Sequence, residues 1–196
     1  MIAALVLAAG ESSRMGTDKA RLSYENSTFL ETILTTLAKA GIERVAVVLG
    51  HHAEEIRRAM DLGAAEVVIN RDYRRGQTSS LQAGLKALKS PELEAIIVCL
   101  VDHPTVSAQT FRRLVDSFWQ SRAPVVIPTY QGRRGHPVVM ARALFEELDS
   151  LGPDAGANTV VHKYQAATQF VAVNDPGVLV DIDDPESYQR LIEGQP

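Results

Sequence analysis

Leu7-Ala8-Ala9-Gly10-Glu11-Ser12-Ser13-Arg14-Met15-Gly16-Thr17-Asp18-Lys19 is the stretch on which the reading of this chain turns. It follows an apolar run at residues 2–7, which predicts a strand buried on both faces. The stretch holds two glycines, three hydroxyl side chains, Arg14 and Lys19. Small residues let the backbone approach a ligand, and free N–H groups suit phosphate oxygens. Arg14 and Lys19 add the formal charge that those amides lack. This is not a Walker A loop, because five residues separate Gly10 from Gly16 and Lys19 lies three beyond. Nor is it GxGxxG, since no two glycines stand one residue apart.

Outward from this loop, short apolar runs alternate with helical patterns. Phe29, Leu30, Ile33, Leu34 and Leu37 recur at helical spacing, and Gly41 ends that helix. Strands are predicted at residues 44–49, 66–69, 95–101, 125–127 and 178–182. Between them, Ile56, Ala59 and Met60 mark a short helix. Leu81, Leu85 and Leu88 mark a second, and Phe111, Leu114, Val115 and Phe118 a third, with Ser107 as its N-cap. The polar turn at residues 131–135 predicts an antiparallel hairpin. Strands apolar on both faces, separated by amphipathic helices, specify a single α/β domain over residues 1–196. The expected architecture has three layers, α/β/α, around a mixed but mostly parallel sheet. Ligands of such sheets bind beyond the carboxyl ends of the strands. Functional residues are therefore expected in the loops at residues 8–19, 50–53, 70–80, 102–105 and 181–185.

Composition narrows the function. The 20 Lys+Arg and 24 Asp+Glu give a formal net charge of -4, which disfavours nucleic acid as a partner. Cys99 is the only cysteine, so there is no disulfide framework and no CxxC pair, and its apolar surroundings predict a core residue. The apolar run at residues 1–9 is too short to span a membrane and has no basic residue before it. A cytoplasmic protein with no membrane partner is expected.

The acids and bases fall where that fold puts its loops. Asp102-His103-Pro104 closes the most apolar strand, and a carboxylate at the mouth of the sheet suits Mg²⁺ beside phosphate groups. Asp181 and Asp183 alternate onto one face of the predicted last strand, and Asp184-Pro185-Glu186 reads as a helix start. Residues 70–81 lead into the helix marked by Leu81, Leu85 and Leu88, and Thr78, Ser79 and Ser80 are good caps for it. Arg133, Arg134 and His136 share one turn and suggest an anion site. His51 and His52 are adjacent, so their side chains are expected to diverge, and they read as loop.

The first loop resembles the signature of the molybdopterin nucleotidyltransferase family, Leu-Ala-Ala-Gly-x-Ser-x-Arg-Met-Gly-x-x-Lys, and matches it throughout residues 7–19. The resemblance implies the Rossmann-like fold of nucleotide-diphospho-sugar transferases and an Mg²⁺-dependent nucleotidyltransferase. It implies nucleotide binding by Leu7, Ala8, Ala9 and Gly10, and catalytic roles for Arg14, Lys19 and Asp102, the two cations on the leaving pyrophosphate. Ala9, in place of a second glycine, points to CTP. The closing segment resembles the family's Asp-[Ile/Val]-[Asp/Asn]-Thr-Pro-Glu-Asp and carries the metal role onto Asp183, beside Asp102, although Asp184 stands for the Thr and Ser187 for the last Asp. Residues 70–81 resemble the family's base-reading segment, which points to Gly76, Ser79 and Ser80. Gly135-His136-Pro137 lies on the family's acceptor side, so His136 is expected to touch the acceptor. Asp154 belongs to a segment like the family's Gly-Asp-x-Gly-Ala-Arg, with Pro153 inserted and Asn158 in place of the Arg, and is a further acceptor candidate. Where the family usually has Asp-Gln-Pro, this chain has His103 in the middle. The implied partners are molybdopterin as phosphate acceptor and a molybdoenzyme or its chaperone as receiver. Two other readings stand beside this one: a related transferase with another nucleotide or a sugar or polyol phosphate, and a nucleotide-binding module without turnover.

Overall fold

The computed structural model describes residues 1–152 and 155–194. Its main sheet has eight strands among those residues. They are β1 (Ile2–Ala8), β4 (Val45–Leu49), β5 (Glu66–Ile69), β6 (Ala95–Leu100), β7 (Val125–Tyr130), β8 (Arg133–Arg134), β9 (Val138–Ala141) and β10 (Gln169–Ala172). A separate two-stranded hairpin, β2 (Ser23–Tyr24) and β3 (Ser27–Thr28), sits just after the first loop. The order across the main sheet is β10-β7-β9-β6-β1-β4-β5, with β8 paired to β7. β1 runs parallel to both β4 and β6, whereas β9 is antiparallel to β6 and β7. The expected mixed, mostly parallel sheet is what forms. The expected hairpin at residues 131–135 is the β7–β8 turn, pairing Thr129 with Arg134.

Strand alternation explains the three layers. On β1, Ala4, Val6 and Ala8 join one core, and Ala3, Leu5 and Leu7 join the other. The first core takes Leu30, Ile33 and Leu37 of α1 (Phe29–Lys39), Ile56 of α2 (Ala53–Ala59), and Phe111, Leu114 and Phe118 of α4 (Ala108–Ser121). The second takes Leu81, Leu85 and Leu88 of α3 (Gln77–Leu88), Leu148 of α5 (Phe145–Asp149) and Val160 of α6 (Ala157–Lys163). Cys99 is buried in the first core, and burial pushes its thiol pKa far up, so it packs as a small hydrophobe. No helix among the described residues is long and apolar enough to cross a membrane.

One expected strand does not form. Residues 178–182 hold no ladder partner; Pro176–Leu179 is instead a 3-10 turn. Asp175 explains this. Its carboxylate is buried, accepts the Gly177 N–H at 3.0 Å, and binds the Ser107 and Thr110 hydroxyls at 2.8 and 2.6 Å. With Pro176 at the first turn position, the backbone curls before it can extend. Asp184 then caps α7 (Pro185–Ile192) through a reciprocal capping box with Ser187, as its sequence predicts. β10 carries no hydrophobic period, because only Val171 of its four residues is buried.

Candidate active site

β1 has β4 on one side and β6 on the other, so the loops after β1 and β6 diverge and leave a crevice. The crevice has a volume of about 310 Å³ and is lined by Leu7, Ala8, Ala9 and Gly10 from the first loop. Ser12 shapes that loop. It adopts a left-handed conformation (φ 49°), its carbonyl accepts the Met15 N–H at 2.9 Å, and its hydroxyl accepts the Lys19 N–H at 3.1 Å. These bonds turn Lys19 back toward the strand ends.

There Lys19 meets two acids. Its Nζ donates to Asp102 Oδ2 at 3.0 Å and to Asp183 Oδ1. Arg14 Nη2 donates to Asp183 Oδ2 at 2.6 Å from a side chain that is 69% exposed, whereas the Lys19 side chain is 11% exposed. Burial works against the Lys19 ammonium, but its hydrogen bond to Asp183 and the charge of Asp102 outweigh that, and its pKa is raised. The same hydrogen bond from Lys19 outweighs the desolvation of Asp183 and lowers its pKa.

The last segment reaches this place through the backbone. Ile182 donates its N–H to the Asp102 carbonyl at 3.0 Å, which sets Asp181 and Asp183 beside the end of β6. Asp181 is held above the usual carboxylate range by burial and by the negative charges of Asp102 and Asp183. Asp102, His103 and Asp181 bring one ligand atom each within 4.8 Å of one another. Asp102 Oδ1 is buried and has no partner among the described residues, while its Oδ2 serves Lys19. An oxygen-rich set with a spare buried carboxylate oxygen fits a divalent cation. The resemblance names Asp183 as a ligand beside Asp102; in the structure both Asp183 oxygens are bonded to Lys19 and Arg14, and it is Asp181 and His103 that gather with Asp102. The signal for Asp181 was its alternation with Asp183.

Gly76 and Ser80 line the crevice at the start of α3. Gly76 has φ 95°, which favours glycine. Ser79 does not line it: its hydroxyl donates to the carbonyls of Asp72 (3.1 Å) and Gly76 (2.8 Å) and closes the turn. Asn70 Nδ2 donates to the hydroxyls of Ser79 and Ser80 at 2.9 and 3.0 Å and so fixes both. Tyr73, which no sequence motif singles out, also faces the crevice.

A second cavity of about 320 Å³ adjoins the first, sharing Leu7, Gln77 and Leu100. Leu81, Val98, Ile127, Val138 and Met140 give it apolar walls, and His136, Arg134, Asn158 and His162 give it polar groups. The predicted acceptor residue His136 is therefore in place; Asp154 lies outside the described residues. A Cβ at Gly135 would collide with the Val178 carbonyl, whose oxygen accepts the His136 N–H at 2.9 Å. The His136 ring lies 5.1 Å from that of His103, which is buried. Desolvation and the neighbouring His103 lower the His136 pKa to about 4, against an opposing pull from Asp102, so the ring is neutral near pH 7.

Comparison with known proteins places this architecture. The family described as MobA-like NTP transferase domain matches residues 4–168. Nicotine blue oxidoreductase of Paenarthrobacter nicotinovorans is 30% identical over 203 residues, covering 97% of this chain and 96% of that protein. Molybdenum cofactor cytidylyltransferase of Escherichia coli (strain K12) is 25% identical, covering 94% of this chain and 92% of that protein. The crystal structure of Rv0371c from Mycobacterium tuberculosis H37Rv superposes with a TM-score of 0.87 at 35% identity, covering 98% of this chain and 97% of that one. A further structure of Rv0371c, in complex with manganese, gives a TM-score of 0.82 at 31% identity, covering 98% of each chain. The match runs through the signature loop, β6 and its terminal acid. The chain thus belongs to the MobA-like NTP transferase domain family and is a nucleotidyltransferase.

Proposed function

We propose that the protein transfers a cytidylyl group from CTP to the terminal phosphate of molybdopterin, giving the cytosine dinucleotide and pyrophosphate. The observation that carries this reading is the meeting of Lys19, Asp102 and Asp183 in a crevice lined by the signature loop, next to an apolar cavity with basic groups. The amides of the first loop hold the triphosphate, and Gly76 and Ser80 face the base. Arg14 and Lys19 neutralise the departing pyrophosphate. The second cavity suits an acceptor with an apolar ring body and an anionic end, which Arg134 and His136 would receive. A phosphate monoester is already ionised near pH 7, so no general base is required and positioning does most of the work. His136, neutral at that pH, orients the acceptor as a hydrogen-bonding group. Mg²⁺ would be held by Asp102, through its spare Oδ1, with Asp181, and by Asp183 once Lys19 or Arg14 turns from it to the phosphates; when bound it offsets negative charge on the phosphates.

The test is pyrophosphate release over a matrix of nucleoside triphosphates and acceptors, with Mg²⁺ or Mn²⁺. Release that needs both CTP and molybdopterin, and falls at least about 100-fold in Asp102→Ala, supports the proposal. Release with another nucleotide or with a sugar or polyol phosphate assigns a different substrate pair. Because of the relative named nicotine blue oxidoreductase, one arm follows the redox turnover of nicotine blue with added two-electron donors. Turnover there without pyrophosphate release overturns cytidylyl transfer.

A further inference from the structure

The turn after β4 holds a second group of metal-type side chains, on the opposite side of Lys19's loop from Asp102. His51 and His52 do not diverge as their adjacency predicts. His52 takes a left-handed conformation (φ 48°, ψ 29°) at the start of α2, which a non-glycine residue rarely adopts. That kink folds its ring over His51, with centroids 3.7 Å apart and planes at 41°. The turn is tight because Gly50 packs so closely that an added Cβ would lie 2.6 Å from the Ala9 carbonyl oxygen and from Tyr73 Cβ. His51 donates its N–H to the same Ala9 carbonyl at 3.1 Å, which joins this turn to the first loop.

Asp18 completes the group. It is only 6% exposed, and its only side-chain partner among the described residues is His52, whose Nδ1 lies 3.0 and 3.3 Å from the two carboxylate oxygens. The Tyr73 hydroxyl, 3.2 Å from His51 Nδ1, holds the other ring. One donor atom from each of Asp18, His51 and His52 lies within 4.8 Å of the others. The 3.0 Å separation of His52 Nδ1 and Asp18 is that of a hydrogen bond, and it needs to open by only about 0.3–0.6 Å for the two to share a tetrahedral ion through bonds of about 2.0–2.2 Å. The His52 side chain is 46% exposed, which gives an ion a way in.

We propose that Asp18, His51 and His52 form a second metal site, separate from the carboxylates at Asp102, that takes a first-row transition dication. Two imidazoles and one carboxylate select such an ion over Mg²⁺, which prefers oxygen. Asp18 immediately precedes Lys19 in the chain, so the bound ion ties the nucleotide loop to the β4 turn and fixes the residue that bridges Asp102 and Asp183.

Zn²⁺ is the probe. Chelator-treated protein is titrated with Zn²⁺ by calorimetry in excess Mg²⁺, and with Co²⁺ by visible absorption. His52→Asn keeps a residue that tolerates the left-handed turn, and His51→Gln keeps the bulk of the ring position. Circular dichroism confirms that both variants fold. The wild type and Asp102→Asn should each bind one Zn²⁺ with the same affinity and show the Co²⁺ ligand-field band. Both histidine variants should bind at least about tenfold more weakly and lose the band. Unchanged Zn²⁺ affinity in both histidine variants, or loss of binding in Asp102→Asn, overturns the proposal.

Discussion

Lys19 Nζ stands 3.0 Å from Asp102 Oδ2 and also bonds Asp183, so one nearly buried ammonium joins the first loop, the end of β6 and the closing segment. Lys19→Met leaves both acids without that counter-charge. Pyrophosphate release should fall by about 10²–10³-fold, measured at saturating nucleotide. Stability changes with pH in the same variant. Asp183 has a lowered folded pKa, so its contribution is present above the ordinary carboxylate range and is lost as pH falls through the lowered value. Without Lys19 that pKa moves back up. Acid unfolding followed by circular dichroism should then begin at higher pH than in the wild type.

Asp181 and Asp183 should behave oppositely in chelator-treated protein. Asp181 has a raised folded pKa, so the stability linked to it is present at low pH and lost as pH rises through the raised value. At pH 7 its charge is a burden, and Asp181→Asn should leave Tm unchanged or raise it. Asp183→Asn removes the acceptor of Lys19 and Arg14 and should lower Tm. If Asp181 serves the metal, Asp181→Asn also weakens Mn²⁺ binding, by about 10–100-fold in a calorimetric titration.

His136 provides a second pH signature. With its folded pKa lowered to about 4, its contribution is full above the unfolded value and is lost as pH falls toward the folded one. The shift corresponds to roughly 3 kcal/mol at most. Urea unfolding of metal-free protein between about pH 6.5 and 4 should show this loss, and His136→Gln should flatten it. An unchanged slope in the variant would show that other groups titrate there.

Gly135→Ala tests the backbone approach that seats His136. The added methyl collides with the Val178 carbonyl, which is main chain and cannot swing aside. A loss of about 1–3 kcal/mol is expected in denaturant unfolding, together with a raised KM for the acceptor.

Val161→Phe narrows the second cavity without touching the first. The acceptor KM should rise several-fold while the nucleotide KM stays unchanged. A rise in both would mean that the two cavities do not divide the substrates between them.

Much of this molecule is legible in its sequence because the information is local. Two-faced apolar strands such as residues 2–7 and 95–101 can be satisfied only inside a covered sheet, and their loops inherit the ligand. Asp184 and Ser107 cap helices, as side-chain oxygens before a helix do. The stretch at residues 178–182 misleads, because an apolar run shows its strand propensity but not the buried Asp175 that bends it away. β10 is too exposed to carry a hydrophobic period.

Local patterns alone thus specify the loop of residues 7–19, the layered α/β fold and the charged residues at the strand ends. Which of those residues meet is set by packing in three dimensions. Lys19 lies 83 residues from Asp102 and 164 from Asp183, and no periodicity reaches that far. Their meeting depends on β1 and β6 lying side by side and on Ile182 being bonded to the Asp102 carbonyl. The stacking of His51 on His52 beside Asp18 depends likewise on one left-handed residue held by a crowded turn. Local propensity specifies elements, but charge contacts follow from the packing of a sheet whose neighbours are distant in the chain.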